Sequence, residues 1–296
     1  MIIVNLNGGL GNQMFQYAVG RALSSRLNAE LKLDISNLGV RSSLGHTLRQ
    51  YELDCFNINA SIASAKEIAM FTRRQPTLIE RAAKKIFKIP FRSTSSHIFE
   101  KSFYFDPEVL NLPDNVYVQG FWQSWKYFAE IEYLIRSDFT THHRLNSIGL
   151  EFKNLISSHN SVSIHIRRGD YVNDPVTNKY HGMCSLSYYY KCIENLKKQV
   201  KDPHFFVFSD EPQWAYENLK TQDTVHIVDC NAKDHPCLDM YLMSICKHNI
   251  IANSSFSWWA AWLNANPEKL VFAPANWFGN STNRTDDLIL PNWKLV

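Results

Sequence analysis

Short apolar runs alternate with helix-like patterns along most of the chain. The run at residues 2–6 ends in a glycine-rich turn, and apolar side chains then recur every three or four residues over about 13–27. This spacing predicts a helix, and residues 30–34 predict the next strand. Strand, glycine turn, helix and strand together indicate a mononucleotide-type unit at the start of the chain.

A second series of the same kind begins near residue 160. Strands are predicted over 161–166, 204–208, 224–228 and 249–252, with helices over 188–200, 237–247 and 256–264. Such alternation is typical of α/β layers with mainly parallel strands. We therefore predict two Rossmann-like domains, residues 1–155 and 156–296, with a ligand cleft between them.

The region between the two series is less regular. Residues 64–89 predict a helix that carries the basic stretch 81–88, and 128–137 predict another. The basic stretch suits either a membrane-surface face or an ordinary solvated helix side, and we favour the second. Residues 116–122 predict a strand that runs into an aromatic loop.

Composition narrows the class of protein. Of 296 residues 45% are hydrophobic and 20% charged, as in globular proteins, and the net charge of +3 predicts no nucleic-acid partner. Apolar runs stay below the roughly 18 residues that a membrane span needs, so we expect a cytoplasmic protein with at most peripheral membrane association. The six cysteines form no C-x-x-C pair, and we expect reduced, buried thiols. The sequence carries no signal of the oligomeric state.

The densest group of chemically active residues follows the strand at 161–166. His165, Arg167, Arg168 and Asp170 lie where the carboxyl end of that strand is expected, which is the edge where α/β sheets bind ligands. Adjacent guanidinium groups match phosphate oxygens and keep their charge. A surface loop with arginines paired to carboxylates is the alternative.

Two further segments suit an anionic ligand. The strand at 249–252 leads into a helix start that contains Ser254, Ser255, Phe256 and Ser257, and free N–H groups at a helix N-terminus attract anions. A simple serine cap is the alternative. The turn before the first helix holds Gly11, Asn12 and Gln13, which permit close backbone approach and bring side-chain amides; a plain tight turn is equally compatible. Trp258, Trp259 and Trp262 are expected in the core.

Several common motifs are absent from the sequence. There is no D-x-D, H-E-x-x-H, G-x-S-x-G, P-loop or G-x-G-x-x-G pattern. A phosphate leaving group departing without a metal needs cations and N–H dipoles to take up its charge. The arginine pair and the serine-rich helix start supply both, so we expect no metal and no cofactor.

With these motifs together, the chain resembles the galactoside α-1,2-fucosyltransferases, glycosyltransferase family eleven. The resemblance is carried by residues 8–17, 165–171, 208–214 and 239–259. It implies a GT-B-like fold and an inverting, metal-independent transfer of fucose from GDP-β-L-fucose to the 2-hydroxyl of a galactoside. The third segment has Asp210-Glu211 where two aspartates are common.

The resemblance also implies roles for individual residues. Arg167 and Arg168 would hold the donor diphosphate, His165 would lie near the guanosine, and Asp239 would bind guanine. The phosphate-side loop would be formed by residues 254–257, and Asn12 would lie near the donor phosphate and the acceptor.

Activating the acceptor hydroxyl requires a base. We take Asp170 as first candidate and His165 as second, although Asp170 could instead orient the arginines. Two alternatives to the whole function stay open: a fucosyltransferase with another acceptor or linkage, α-1,6 or protein O-linked, and a non-catalytic sugar- or nucleotide-binding module. Acceptor choice is expected in loops such as 36–50 and 91–126, whose aromatic residues can stack on sugars.

Overall fold

Two parallel β-sheets with flanking helices make up the protein. The structure is a computed structural model that describes residues 1–39, 48–72, 96–169, 182–230, 235–279 and 285–296. The predicted basic stretch 81–88 and the candidate base Asp170 lie outside these residues.

The first sheet is built from the N-terminal part of the chain. Its strands are β1 Ile2–Asn5, β2 Leu31–Asp34, β3 Ser61–Ile62, β4 His97–Phe99 and β5 Val116–Gln119. Their order is β3-β2-β1-β5-β4, and all four pairings are parallel. Helix α1, Leu10–Leu27, follows β1, and α2, Ala65–Thr72, follows β3. The predicted opening unit of strand, turn, helix and strand is confirmed.

The second sheet holds six described strands. They are β6 Asn160–Ile166, β7 Pro203–Ser209, β8 Val225–Ile227, β9 His248–Ile250, β10 Val271–Ala273 and β11 Lys294–Leu295. Every pairing is parallel, in the order β11-β10-β9-β6-β7-β8. If β6 is numbered as strand 1 and the sheet is read from β8 to β11, the order is 3-2-1-4-5-6, that of a dinucleotide-binding sheet.

The remaining described α-helices lie between and beside these strands. They are α3 Glu132–Asp138, α4 Ser147–Ser158, α5 Leu186–Lys197, α6 Pro212–Asn218, α7 Pro236–Ser244 and α8 Ser255–Leu263. Residue 155, where we placed the domain boundary, falls inside α4, which contacts both β6 and α7. The boundary itself stays a prediction.

Each sheet has one place where the chain reverses its direction of strand addition. In the first sheet this switch point lies between β1 and β5, and in the second between β6 and β9. Open α/β sheets bind ligands outside the carboxyl ends of the strands at such a point. The topology therefore selects two loop pairs, those after β1 and β5 and those after β6 and β9.

Aromatic packing joins the two sheets through α1 and α8. The ring of Phe15 on α1 lies 4.6 Å from that of Trp258 and 4.9 Å from that of Trp259, centroid to centroid. Both tryptophans are fully buried and Trp262 is 4% exposed, so the prediction that they belong to the core is confirmed. Such pairs are worth about 0.5–1.5 kcal/mol each beyond their buried area.

One local prediction in the middle region is confirmed and another needs correction. The strand predicted to run into an aromatic loop ends at Gln119, and the loop that follows contains Trp122 at φ +56°, a left-handed conformation incompatible with a strand. The helix predicted over 128–137 begins only at Glu132, preceded by short 3₁₀ turns at 125–127 and 129–131. Local 3₁₀ turns of this kind commonly precede α-helices.

The six cysteines are free thiols, as predicted, and all but Cys184 are buried. None of the helices in the described ranges combines the length and apolarity needed to cross a bilayer.

Candidate active site

The switch point of the second sheet brings two of the predicted motifs together. β6 pairs with β9 in a register that aligns Ile164 with Ile250, so Arg167 after β6 and Ser254 after β9 emerge at the same sheet edge. The ring of His165 lies 5.5 Å from that of Phe256. The arginine motif and the serine-rich helix start thus share one edge, as their separate patterns suggested.

The glycine turn of the first sheet lies directly against this edge. A Cβ on Gly11 would fall 2.5 Å from the backbone nitrogen of Phe256, so only glycine allows the two backbones to approach so closely. The Ser255 hydroxyl donates to Asn12 Oδ1 at 2.8 Å, and Trp259 Nε1 donates to the Gly11 carbonyl at 3.0 Å. The glycine turn and the serine-rich helix start, which are far apart in the sequence, therefore meet between the two sheets.

The N-termini of α1 and α8 are brought together by these contacts. Each terminus presents backbone N–H groups and the positive end of a helix dipole. The guanidinium of Arg49 lies beside Gly9, with Nη1 3.6 Å from the point that a Cβ on this glycine would occupy. Two helix starts and arginines from both halves thus gather at one edge, an arrangement suited to an anion such as a diphosphate.

Each arginine of the pair is held by a carboxylate from the neighbouring strand. Arg167 Nη1 lies 3.1 Å from Asp210 Oδ2, and Arg168 Nε donates to Glu211 Oε2 at 3.0 Å. The parallel register of β6 and β7 pairs Ile166 with Ser209, so the next residues on each strand face one another. Opposite charges at matching positions after two neighbouring strands were the signal in the sequence that could have revealed these ion pairs.

The two arginines differ in their further surroundings. The Arg168 guanidinium carbon lies 3.7 Å from the ring centroid of Trp214 on α6, a cation–π contact. The charge of Arg167 instead reaches His165, whose pKa burial and this charge lower, and Glu52, where it opposes the rise in pKa that burial causes. Arg167 therefore interacts with the first half of the chain, whereas Arg168 packs against α6.

His165 is buried as a neutral imidazole. Burial and the nearby Arg167 charge lower its pKa to about 3, and its Nδ1 has no hydrogen-bond partner within the described residues. A group with this pKa holds a proton poorly, so His165 is a weak base near neutral pH. The orphaned ring nitrogen is instead available to a bound ligand.

Glu52 is a cleft carboxylate that the sequence patterns did not single out. Its backbone N–H donates to Gln13 Oε1, which holds it beside the start of α1. Burial raises the pKa of its carboxyl group, an effect that the backbone N–H of Leu10 and the charges of Arg49 and Arg167 oppose. Glu52 thus lies half-buried among the groups that make the cleft positive.

Two predicted site residues have side chains that bond to nearby backbone. Gln13 is fully buried, and its amide donates to the carbonyls of Gly8 at 2.9 Å and Gln50 at 2.8 Å while accepting from the Glu52 N–H at 3.0 Å. The Ser257 hydroxyl donates to the carbonyl of Ser254 at 3.3 Å and is likewise buried. These side chains support the two loops, and the predicted contacts of both residues with a ligand stay predictions.

Asp239 lies in the first turn of α7, half-buried. Burial and next the charge of Asp239 raise the pKa of the Cys230 thiol to about 11, which places the carboxylate near the loop after β8. Asp170 lies outside the described residues. Within the described ranges no three histidine, cysteine, aspartate or glutamate side chains are grouped so as to hold a metal ion.

Comparison with known proteins agrees with this arrangement. The family model described as glycosyl transferase family 11 matches residues 53–296. An α-1,2-colitosyltransferase of Escherichia coli is 39% identical, covering 99% of this chain and 98% of that protein. The O-antigen biosynthesis glycosyltransferase WbnK of the same species is 31% identical, covering 97% and 98%.

The fold is also found among solved structures. The fucosyltransferase NodZ from Bradyrhizobium shares 16% sequence identity, with a TM-score of 0.50 over 88% of this chain and 92% of that one. Together with the two parallel sheets, this likeness confirms the predicted GT-B-like α/β fold. On the strength of the family model and of relatives that match along nearly its full length, the chain belongs to glycosyl transferase family 11 and is a glycosyltransferase.

Proposed function

We propose that the protein transfers an L-fucose-type 6-deoxy sugar from its GDP derivative to the 2-hydroxyl of a terminal β-galactoside, with inversion and without a metal. One observation carries the proposal: the N-termini of α1 and α8 meet at Gly11 and Ser255, beside Arg167 at the switch point of the second sheet. A nucleotide diphosphate is the ligand that such a positive, dipole-lined edge suits best.

The chemistry is a displacement at the anomeric carbon of the donor sugar. The bond from C1 to the β-phosphate oxygen breaks, and its electron pair leaves with GDP. The galactoside oxygen bonds to C1 from the opposite face and loses its proton to a base, through an oxocarbenium-like transition state. Arg167 and the backbone N–H groups at the start of α8 would stabilise the phosphate charge as it develops.

Glu52 is our choice of base among the described residues. Its carboxylate lies among the glycine turn, Arg49 and Arg167. A pKa raised by burial makes a carboxylate a better proton acceptor than it is in water. Asp170 stays a prediction. We assign the recognition of guanine to Asp239, because a carboxylate accepts from both N1–H and the 2-amino group of guanine and adenine lacks that pair of donors.

Two donor sugars fit the proposal. The sequence motifs resemble fucosyltransferases, whereas a relative 39% identical is named a colitosyltransferase. Colitose is L-fucose without its 3-hydroxyl, so both sugars present the same anomeric carbon and 6-methyl group. The name of WbnK supports a role in O-antigen synthesis, and the cytoplasmic location expected from the sequence stays a prediction.

The test offers the protein both donors. Purified protein is incubated with GDP-L-fucose or GDP-colitose and a β-galactosyl disaccharide, in EDTA and in Mg²⁺, and the product is analysed by NMR. We expect an α-linked product on the galactose 2-oxygen at the same rate in both buffers. A strict metal requirement would overturn the metal-free scheme, and a 6-linked or protein-linked product would replace the acceptor assignment.

A non-catalytic binding module would behave differently. It would bind GDP, yet it would neither transfer sugar nor hydrolyse GDP-fucose when no acceptor is present. Slow hydrolysis with GDP release, lost in Arg167→Ala, would support an enzyme even if the acceptor tried is the wrong one.

A further inference from the structure

A small cleft opens beside the switch point of the first sheet. It has a volume of about 130 Å³ and lies at the carboxyl ends of β4 and β5, with Phe99, Tyr104 and Trp122 in its walls and Val109 and Leu112 among its apolar lining. Complete ligand pockets are usually about 300–1,000 Å³. A cleft of this size accommodates part of a ligand, with the rest lying on the surface around it.

Exposed aromatic side chains lie in the cleft wall and on the turn beside it. Phe99 and Tyr104, which line the cleft, are 56% and 43% exposed, and Phe121, next to the lining residue Trp122, is 43% exposed. Large apolar side chains gathered at a surface indicate a binding site more strongly than scattered ones do. Aromatic faces suit sugars, because the C–H face of a pyranose ring is apolar while its hydroxyl groups remain in water.

The turn that presents Phe121 is rigidly built. The Glu100 carboxylate accepts hydrogen bonds from the backbone N–H of Phe121 at 2.7 Å and of Trp122 at 2.9 Å. Trp122 is 1% exposed and has φ +56°, a costly conformation for an aromatic residue. Its indole N–H has no partner in the described part of the chain. Strain of this kind is concentrated at functional sites.

Hydrogen bonds connect this turn to the candidate active site. The Gln16 amide donates to the Gly120 carbonyl at 3.1 Å and accepts from the Asn7 N–H at 2.9 Å. Gln123 donates to Asn12 Oδ1 at 2.7 Å, and the same oxygen accepts from Ser255. The aromatic cleft therefore lies one strand away from the glycine turn, along the same sheet edge.

We propose that this cleft binds the acceptor saccharide at the sugar next to the reacting galactose. The proposal rests on the proposed function. A galactose held at the glycine turn would leave the following sugar over β5, where Phe99 and Phe121 offer their faces. One substituent of that sugar would enter the apolar cleft between Tyr104 and Val109. Specificity for the acceptor would then be set by this second sugar.

The test compares acceptors with and without a second sugar. Phe99→Ala and Phe121→Ala are assayed with a β-galactosyl disaccharide and with methyl β-galactoside. We expect the ratio of kcat/KM for the disaccharide to that for the methyl galactoside to fall about 3- to 10-fold per ring removed. Tyr133→Ala, which removes a ring 71% exposed on α3, is the control and leaves the ratio unchanged.

Binding is measured separately, so that the outcome does not depend on transfer. Saturation-transfer NMR with GDP present reports contact between the disaccharide and the protein. Loss of that signal in Phe121→Ala, with GDP affinity retained, supports the subsite even where the proposed reaction fails. An unchanged signal, or an equal loss of activity with both acceptors, overturns it.

Discussion

The two switch points that face each other across the cleft differ in their chemistry. On the side of the second sheet the site is charged, and Asp210 and Glu211 hold its two arginines. On the side of the first sheet the surface is aromatic, with Phe99 and Phe121 exposed on a turn fixed by Glu100. An ionic ligand needs charges held in place in advance, whereas a neutral sugar needs flat apolar faces. The difference supports the proposed assignment of the nucleotide sugar to the second sheet and of the acceptor to the first.

The two arginines of the pair also differ in their surroundings. Arg168 is bound to Glu211 and stacked on Trp214, so much of its interaction is internal to the second sheet and α6. The charge of Arg167 reaches Glu52 of the first half. The two neighbouring arginines thus differ in their partners, and we expect them to contribute differently to the reaction.

The largest expected effect separates these two arginines. Arg167→Ala should lower kcat about 10³-fold, because one group that stabilises the leaving phosphate in the transition state is lost. Arg168→Ala should lower it less and should lower the melting temperature more, since its packing against Trp214 is removed. Steady-state rates and thermal melts of both variants check this. Equal losses of kcat at equal stability would contradict the distinction.

The next largest effect on kcat is expected from removal of the Glu52 carboxylate. Glu52→Gln keeps the shape of the side chain but removes the proton acceptor, so kcat should fall about 10²-fold. Wild-type kcat should decline on acidification through the raised pKa of Glu52, because the protonated carboxyl cannot accept a proton. The variant should lack this decline. GDP affinity that stays constant while kcat falls would separate catalysis from binding.

The proposed recognition of guanine is tested at Asp239, in the first turn of α7. Asp239→Asn should weaken GDP binding about 30-fold, since a charge-assisted hydrogen bond is worth roughly 1.5–3 kcal/mol. ADP, which lacks the matching donors, should bind the variant and the wild type alike. Isothermal titration with both nucleotides is the measurement, and equal weakening for GDP and ADP would argue against a guanine contact.

The smallest effect concerns stability. The pKa of His165 is lowered to about 3 by burial and by Arg167, so as pH falls the unfolded chain binds a proton that the folded protein does not. Folding stability contributed by the neutral ring is therefore lost on acidification, by about 1 kcal/mol between pH 6.5 and 5.5. Urea unfolding of the wild type and of His165→Asn at both values should differ by this amount. Parallel changes in the two proteins would contradict the assignment.

Helices and strands could be predicted from the sequence where the hydrophobic pattern extends over many residues. The helix at α1 and the strands β6 and β7 show sustained periodicity, and the structure confirms them. The strand β5 and the aromatic loop after it were predicted as well, but the left-handed backbone of Trp122 was not, since aromatic residues rarely adopt it. The Trp122 N–H donates to Glu100, a residue outside the local pattern.

The candidate site divides in the same way. The arginine pair, the serine-rich helix start and the glycine turn were each visible as motifs. Glu52 was not, because it belongs to no periodic element and is held beside the start of α1 by Gln13, a residue far from it in the sequence. The bonds from the Gln13 and Ser257 side chains to backbone carbonyls were not visible either, because those carbonyls are brought to them by the fold.

By itself the sequence determined the parallel α/β class, the residues able to carry the chemistry and the family they resemble, since hydrophobic period and residue type are local properties. Only the tertiary structure decided which strands are neighbours. That choice pairs Arg167 with Asp210 and seats Gly11 against Phe256, and it results from burying the faces of both sheets together. Contacts across such distances depend on the packing of the whole chain, which no short segment encodes.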